Sequence, residues 1–513
     1  MFRSLLATGA LFFAIGSGDA ADPKGASSAE KVSYYKDIRP IFQQSCQGCH
    51  QPAKAGGGYN MTVYADMLKK GDREKPGIVP GKPEQSFLVA LIRPSNGKVE
   101  MPRGKEPLPE PQIKMIVDWI AQGAIDDTPA SAKAPLVDED HPPVYQAAPV
   151  ITAIAFSPDG QYLAVSGYHE VLIHKADGTG MVGRLVGLSE RIQSLAFSPD
   201  GKTLAVSGGD PGRFGEVQLW DYKNAKLRLS VPATFDTVYG VSWSPDSTKV
   251  AFGGADNTTR AIEAATGKQI LFLGAHSDWV MGTSFSHDGQ HLVSVSRDRS
   301  VKMTEVATNR FVDNVTSITP GQLKGGLLAV EVRPTQWAEQ MRAIALFGVS
   351  AHRNRMGEVF NLHGYTAPRK NLRPRDIPDV PVKNYDEILV AGADGQPRLY
   401  KMHREVKRVI GDDSNKIREY EKMPGRIYAV AFNKTGSLFA AGSSLDGTGE
   451  VRIFQTDNAK RISAFENVKT PIYALAFHPD GKSVASGGFD GMVRLNDPLT
   501  GKLIKEFVPV PKK

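Results

Sequence analysis

The sequence predicts two folded parts of different class, a small all-α domain followed by a much longer all-β repeat domain. Three observations carry this reading. The only two cysteines among 513 residues stand three apart, as Cys46 and Cys49, with His50 directly behind and segments of helical apolar period on either side. From Ile151 onward, an alternating strand, a Ser-Pro-Asp-Gly type turn and a second apolar strand recur along the chain. A stretch rich in Pro, Ala and Asp, 126–149, separates the two parts and reads as an extended, exposed linker, with a docked linker as the alternative.

Taken in order, the chain opens with Arg3, an apolar run from Leu5 to Ile15 and small residues up to Ala20. That is the layout of a cleaved secretory signal over residues 1–20, with Ala21 as the alternative cleavage point. No later stretch approaches the roughly 18 apolar residues of a membrane helix. An exported, periplasmic chain without a membrane span is expected, and nucleic acid is not an expected partner.

Export decides what the cysteines can be. In an oxidising compartment the plain alternatives are a small disulfide loop or half of a zinc site. Neither gives His50 a role, and no second Cys-x-x-Cys exists to complete a zinc site. Covalent c-type haem attachment needs this pattern: two thiols spaced to add to the haem's two vinyl groups, and an adjacent imidazole that reaches the iron. One covalently attached haem c is the expected cofactor, bound through Cys46 and Cys49 with His50 on the iron.

The surrounding domain spans 30–125. Ile38, Phe42 and Cys46 follow one another at helical spacing, and a glycine-rich turn and a short helix come after His50. A closing helix is predicted from Gln112 to Gln122, with Ile113, Ile116, Trp119 and Ile120 on one face and Gly123 as its stop. No histidine lies between His50 and His141, so the second axial ligand is sought among Met61, Met67, Met101 and Met115. Met67 and Met115 fall in helix-like segments, where a methionine is expected to pack in the core, and Met61 lies close behind the glycine run. Met101 lies in "KVEMPRGKEPLPEP", where Pro102, Gly104 and Pro107 disfavour a helix and favour a loop that can pass over the haem face. Met101 is therefore the expected partner of His50 on the iron.

Residues 33–125 resemble the planctomycete-type cytochrome c domain, in the Asp37 to Phe42 opening, the Cys-x-x-Cys-His segment, Met101-Pro102 and the Trp119 to Ala124 close. The resemblance implies a class I c-type fold with His50 and Met101 as axial ligands.

Beyond the linker, repeat units begin at Ile151, Ile192, Val238, Val280, Ile427 and Ile472. A third strand follows, as from Glu216 and Glu450, and then a short fourth. Four short antiparallel strands at a period of about 40 to 47 residues resemble a WD40 β-propeller blade. Phe285 and Phe432 stand 147 residues apart, and Leu323 and Asp386 open the separated halves of one further unit. Seven blades over 150–513 follow, the fifth interrupted by an insertion at about 335–384. Eight is the alternative count, because "RAIALFGVSA" and "GEVFNLHG" in the insertion are strand-like. Each unit supplies its own four strands, so closure without exchange of a terminal strand is expected.

Trp220-Asp221 is the one Trp-Asp pair, while Asp256, Asp298, Asp394, Asp446 and Asp490 recur at a turn and read as turn-stabilising. His169, His174, His276, His287, His291, His352, His363, His403 and His478 are scattered and read mostly as surface or turn residues, which disfavours a second cofactor site on the repeats. No GxSxG, HExxH or paired-carboxylate signature supports a hydrolase. The net charge is +7, and the insertion gathers Arg353, Arg355, Arg369, Lys370, Arg373 and Arg375 against Glu358 alone, a docking patch for an acidic partner or a solvated loop. The expected function is electron transfer by a monohaem cytochrome with the propeller as docking platform. The alternatives are a redox enzyme with its substrate site on the propeller, and a WD40 binding scaffold.

Overall fold

A computed structural model describes residues 31–51, 54–94, 99–103, 106–129, 137–317, 323–334, 351–353, 359–361, 386–409, 411–466 and 468–511. The signal segment lies outside the described residues. So does the basic cluster of the insertion, except for the backbone of Arg353.

The N-terminal part is helical. Tyr34–Ile38 forms one π-helical turn that runs into α1 (Arg39–Ser45), followed by α2 (Tyr64–Met67), α3 (Phe87–Ile92) and α4 (Glu110–Ala121). Ser33 starts the first turn by accepting the Lys36 N–H on its hydroxyl. α4 begins two residues ahead of its expected start because Pro111, with its preset φ, suits the first turn. Its apolar face is the expected one: Ile113, Ile116, Trp119 and Ile120 are buried with Ile38 and Phe42 in one core, and Tyr34 stacks on Trp119 at 5.3 Å between centroids. Gly123, at φ +100°, ends the helix in a conformation that other residues resist.

The rest of the chain is mostly β. One seven-stranded sheet runs from Ile154–Phe156 to Lys226–Thr234, and its 17-residue strand Met181–Phe197 is both the last strand of the first repeat unit and the first strand of the second. Five four-stranded sheets follow, opening at Val238–Trp243, Val280–Phe285, Leu327–Val332, Arg426–Phe432 and Ile472–Phe477. The split unit is joined as expected, Leu327–Val332 pairing with Glu387–Gly392 across the insertion. Within the insertion, Ala351–Arg353 and Val359–Asn361 pair only with each other. The last sheet draws all four strands from the C-terminal end of the chain, without exchange.

The turn chemistry follows the sequence. Ser157, Ser198, Ser244 and Ser286 each donate to the aspartate two residues on, at 2.5–2.6 Å, and Gly160, Gly201 and Gly289 take φ near +70°. At the other turn, Asp256, Asp298, Asp394 and Asp490 accept the N–H two residues ahead, from Thr258, Ser300, Gln396 and Met492.

Three expectations need correction. Met115 is 36% exposed on α4 and is not a core residue. The linker is fastened at both ends: Tyr35 N donates to Asp127, while buried Tyr145 donates to Glu170 and Arg184 to the Pro143 carbonyl. Several histidines lie inside the repeat region. His174 and His276 are buried, His287 bonds Asp386, and His478 bonds the Gly160 carbonyl across the junction of the first and last units. The last two join segments far apart in the chain, which a turn pattern does not reveal.

Candidate haem site

Cys46 is the C-terminal cap of α1, and the chain then turns tightly, Cys49 N and His50 N both reaching the Cys46 carbonyl. Neither cysteine is in a disulfide. Cys49 is exposed and Cys46 half-buried at the border of the apolar core. His50–Gln51 then pairs with Lys54–Ala55, and the glycine run returns the chain over the histidine. Gly56 donates to the Cys49 carbonyl at 2.8 Å, and a Cβ there would sit 2.8 Å from that oxygen and 3.6 Å from His50 Cε1. Any larger residue would push into the turn that holds the histidine.

The imidazole is oriented from its far side. His50 Nδ1 lies 3.1 Å from the Tyr59 carbonyl, so the neutral ring donates there and carries its lone pair on Nε2. Burial lowers the pKa of His50 against two backbone carbonyls that raise it, which favours the neutral ring a metal needs. Tyr59 is itself fixed, donating its hydroxyl to the Met67 carbonyl at 2.5 Å. Gly77 makes room for that ring, since a Cβ on it would lie 1.9 Å from the Tyr59 hydroxyl.

Of the four methionines, Met61 and Met67 are fully buried in the core and Met115 faces outward. Met101 is half-buried in a non-helical segment, its N–H on the Leu91 carbonyl, and packs at the border of the same core as Cys46. Two thiols, an imidazole with a free Nε2 and a half-buried thioether are the donor set a c-type haem takes, and in that sense the residues fit it. Among the described residues no group of three or more His, Cys, Asp or Glu side chains is arranged to hold a bare metal ion.

Sequence reasoning did not find the contact that this turn makes with the repeat region. A Cβ on Gly48, between the two cysteines, would meet the Ser230 carbonyl at 2.7 Å and Pro232 Cδ at 2.9 Å, both on strand Lys226–Thr234. Glycine at a Cys-x-x-Cys interior position was the available signal.

Comparison with known proteins gives the same two parts. The Planctomycete cytochrome C family model matches residues 46–104, from Cys46 past Met101, and implies haem binding. The WD domain, G-beta repeat model matches six times, at 141–179, 181–212, 226–261, 267–304, 415–449 and 460–497. A subunit of chromatin assembly factor 1 from Gallus gallus is 26% identical over 103 residues, covering 20% of this chain and 18% of that protein. Serine-threonine kinase receptor-associated protein of Gallus gallus is 23% identical over 245 residues, 43% of this chain and 67% of that protein. WD repeat-containing protein 1 of Xenopus tropicalis is 35% identical over 75 residues, 14% of this chain and 12% of that protein. This chain thus spans under a fifth of the length of the chromatin assembly protein. No helix among the described residues is long and apolar enough to cross a membrane. The chain joins a Planctomycete cytochrome C domain to six WD40 repeats.

Proposed function

We propose that the protein is an exported, periplasmic c-type cytochrome that carries electrons, one haem being attached through Cys46 and Cys49 with His50 and Met101 on its iron. The observation that carries this reading is the orientation of His50 by the Tyr59 carbonyl, inside a Cys-x-x-Cys-His turn whose thiols are not spent on each other. When bound, the haem supplies a one-electron couple. The chain's own residues do the rest. Cys46 and Cys49 would fix the macrocycle to the end of α1, Tyr59 keeps the histidine in the tautomer that presents Nε2, and the Met101 thioether would favour the reduced iron. If His50 and Met101 both held the iron, a small substrate would find no open site on it, which favours exchange with a protein partner over direct turnover.

The repeat region serves as the docking platform, its sheets forming seven blades of a propeller with the interrupted unit as the fifth. Six WD40 matches support a protein-binding role. The insertion's Arg353, Arg355, Arg369, Lys370, Arg373 and Arg375 recruit an acidic redox partner, since complementary charge speeds encounter most at low salt.

The test is expression in a periplasm with c-type maturation. Haem should stay with the denatured chain, and Cys46→Ala with Cys49→Ala should abolish that retention; an unchanged haem stain in the double variant rejects the reading. In the same preparation Met101→Ala should remove the sulfur-to-iron charge-transfer band and lower the reduction potential. Loss of the band in Met61→Ala but not in Met101→Ala would reassign the ligand.

A further inference from the structure

Where the fourth and fifth repeat units meet, two histidines face each other. His291 opens strand His291–Ser296 and His403 lies just past strand Arg398–Lys401, and their ring planes stand at 81° with centroids 4.8 Å apart. The Nδ1 atom of His291 and the Nε2 atom of His403 are both buried, and neither has a hydrogen-bond partner. Natively folded chains rarely leave such atoms bare, because an unmet buried polar group costs about 1–3 kcal/mol. Two of them on adjoining rings point to a ligand that takes both.

Negative charge lies nearby. Asp386 and Asp288 stand within electrostatic reach of His403. Buried Asp386 is gripped by His287, whose Nδ1 lies at 2.5 Å and whose backbone N–H donates at 3.1 Å. The two imidazoles therefore sit beside fixed negative charge, each with a bare ring nitrogen.

We propose that His291 and His403 together bind a divalent transition-metal ion of the zinc class between the fourth and fifth repeat units. Zinc takes imidazole nitrogen at about 2.0–2.1 Å, which puts each ring centroid about 3.2 Å from the ion, so an ion shared by both rings would see centroids 4.8 Å apart at about 100°, close to the tetrahedral angle. No third ligand joins them among the described residues, so water completes the sphere and the site is an open one. His287 and Asp386 act behind it, fixing the negative charge that the ion sees. The site shares no residue with the haem turn and does not depend on the haem reading.

The experiment uses the full-length, haem-loaded chain, stripped with a chelator and dialysed against zinc chloride. Elemental analysis counts zinc and iron separately, and calorimetry gives the affinity. Cys46 and Cys49 are alkylated wherever haem is not attached, so a failure of haem attachment shows in the iron count and cannot pass for zinc binding. One zinc per chain is expected. Each of His291→Gln and His403→Gln should weaken binding at least about tenfold, whereas His141→Gln, which removes an exposed histidine and its pair with Asp138, should not. Zinc should also raise the Tm of the unmodified protein, a readout that stands even where a variant fails to fold. Absence of bound zinc in the unmodified protein, or unchanged affinity in both folded Gln variants, overturns the proposal.

Discussion

Glu331 occupies a register at which the other six units carry a small side chain, namely Ala155, Ala196, Ser242, Ser284, Ala431 and Ala476. It accepts the Phe432 N–H of the next unit at 2.8 Å, and burial pushes its carboxyl up to about 8 from an ordinary 4.5. A raised acid holds its proton more tightly in the folded chain than in the unfolded one. Its contribution is therefore complete below about 4.5 and is lost as pH rises through about 8. Glu331→Gln should match the parent near pH 5 and become the more stable protein by pH 9, by more than about 1.4 kcal/mol, the value of a single pKa unit. Chemical denaturation across that range checks it, and a stability difference that does not change with pH contradicts it. Residues of this kind show how far single positions could be read. Cys46, Cys49 and His50 stand out in the sequence because a c-type haem site asks for that spacing. The repeat pattern marked Glu331 only as a departure from its neighbours, and His287, whose partner Asp386 is 99 residues away, looked like any turn residue.

At the scale of elements, what could be read was what is local. Alternation, turn aspartates and the apolar face of α4 each rest on a few neighbouring residues, and they appear where the pattern put them. The split fifth unit was also legible, because its two halves each keep half of the pattern. What holds one sheet to the next was not. Arg333, 1% exposed, follows the first strand of the fifth unit and reaches Glu387 at 2.7 Å, Asp457 at 3.0 Å and the Gly436 carbonyl at 2.9 Å, tying its own unit to the sixth. A guanidinium with three acceptors satisfies a buried site that a single counterion could not. Removing it strands Glu387 and the Gly436 carbonyl, so Arg333→Ala should cost about 3–5 kcal/mol. Arg461→Ala, which removes one half of an exposed pair with Glu421, should cost no more than about 1 kcal/mol. Equal midpoints of denaturation for the two variants would remove Arg333 from this role.

For the whole molecule, the question is whether the cytochrome part and the repeat sheets move as one. The linker that composition predicted to be exposed is anchored on both sides, at Asp127 to the helical part and at Pro143 and Tyr145 to the first sheet. Composition reports only that a stretch lacks an apolar period; it does not report the partners that its carbonyls and its one tyrosine find. So short a tether keeps the two parts at about millimolar effective concentration, enough to hold a contact too weak to survive between separate chains. That contact runs through Gly48, pressed on Ser230 and Pro232, with the Arg213 side chain beside Tyr35. Because Gly48 lies between the two cysteines, strand Lys226–Thr234 leans on the edge where the haem would be attached, and it shapes what else can approach there. Gly48→Leu puts four carbons where the Ser230 carbonyl oxygen stands 2.7 Å from a Cβ, and rigid backbone cannot give way as a flexible side chain would. The two parts should then separate within the reach of the linker, read by small-angle scattering as a larger radius of gyration in chains that carry their haem. Pro232→Gly, which removes the facing ring, should recover part of the compact form in the Gly48→Leu background. A radius of gyration that stays the same in Gly48→Leu, in a chain still carrying its haem, would mean that the two parts are held together elsewhere.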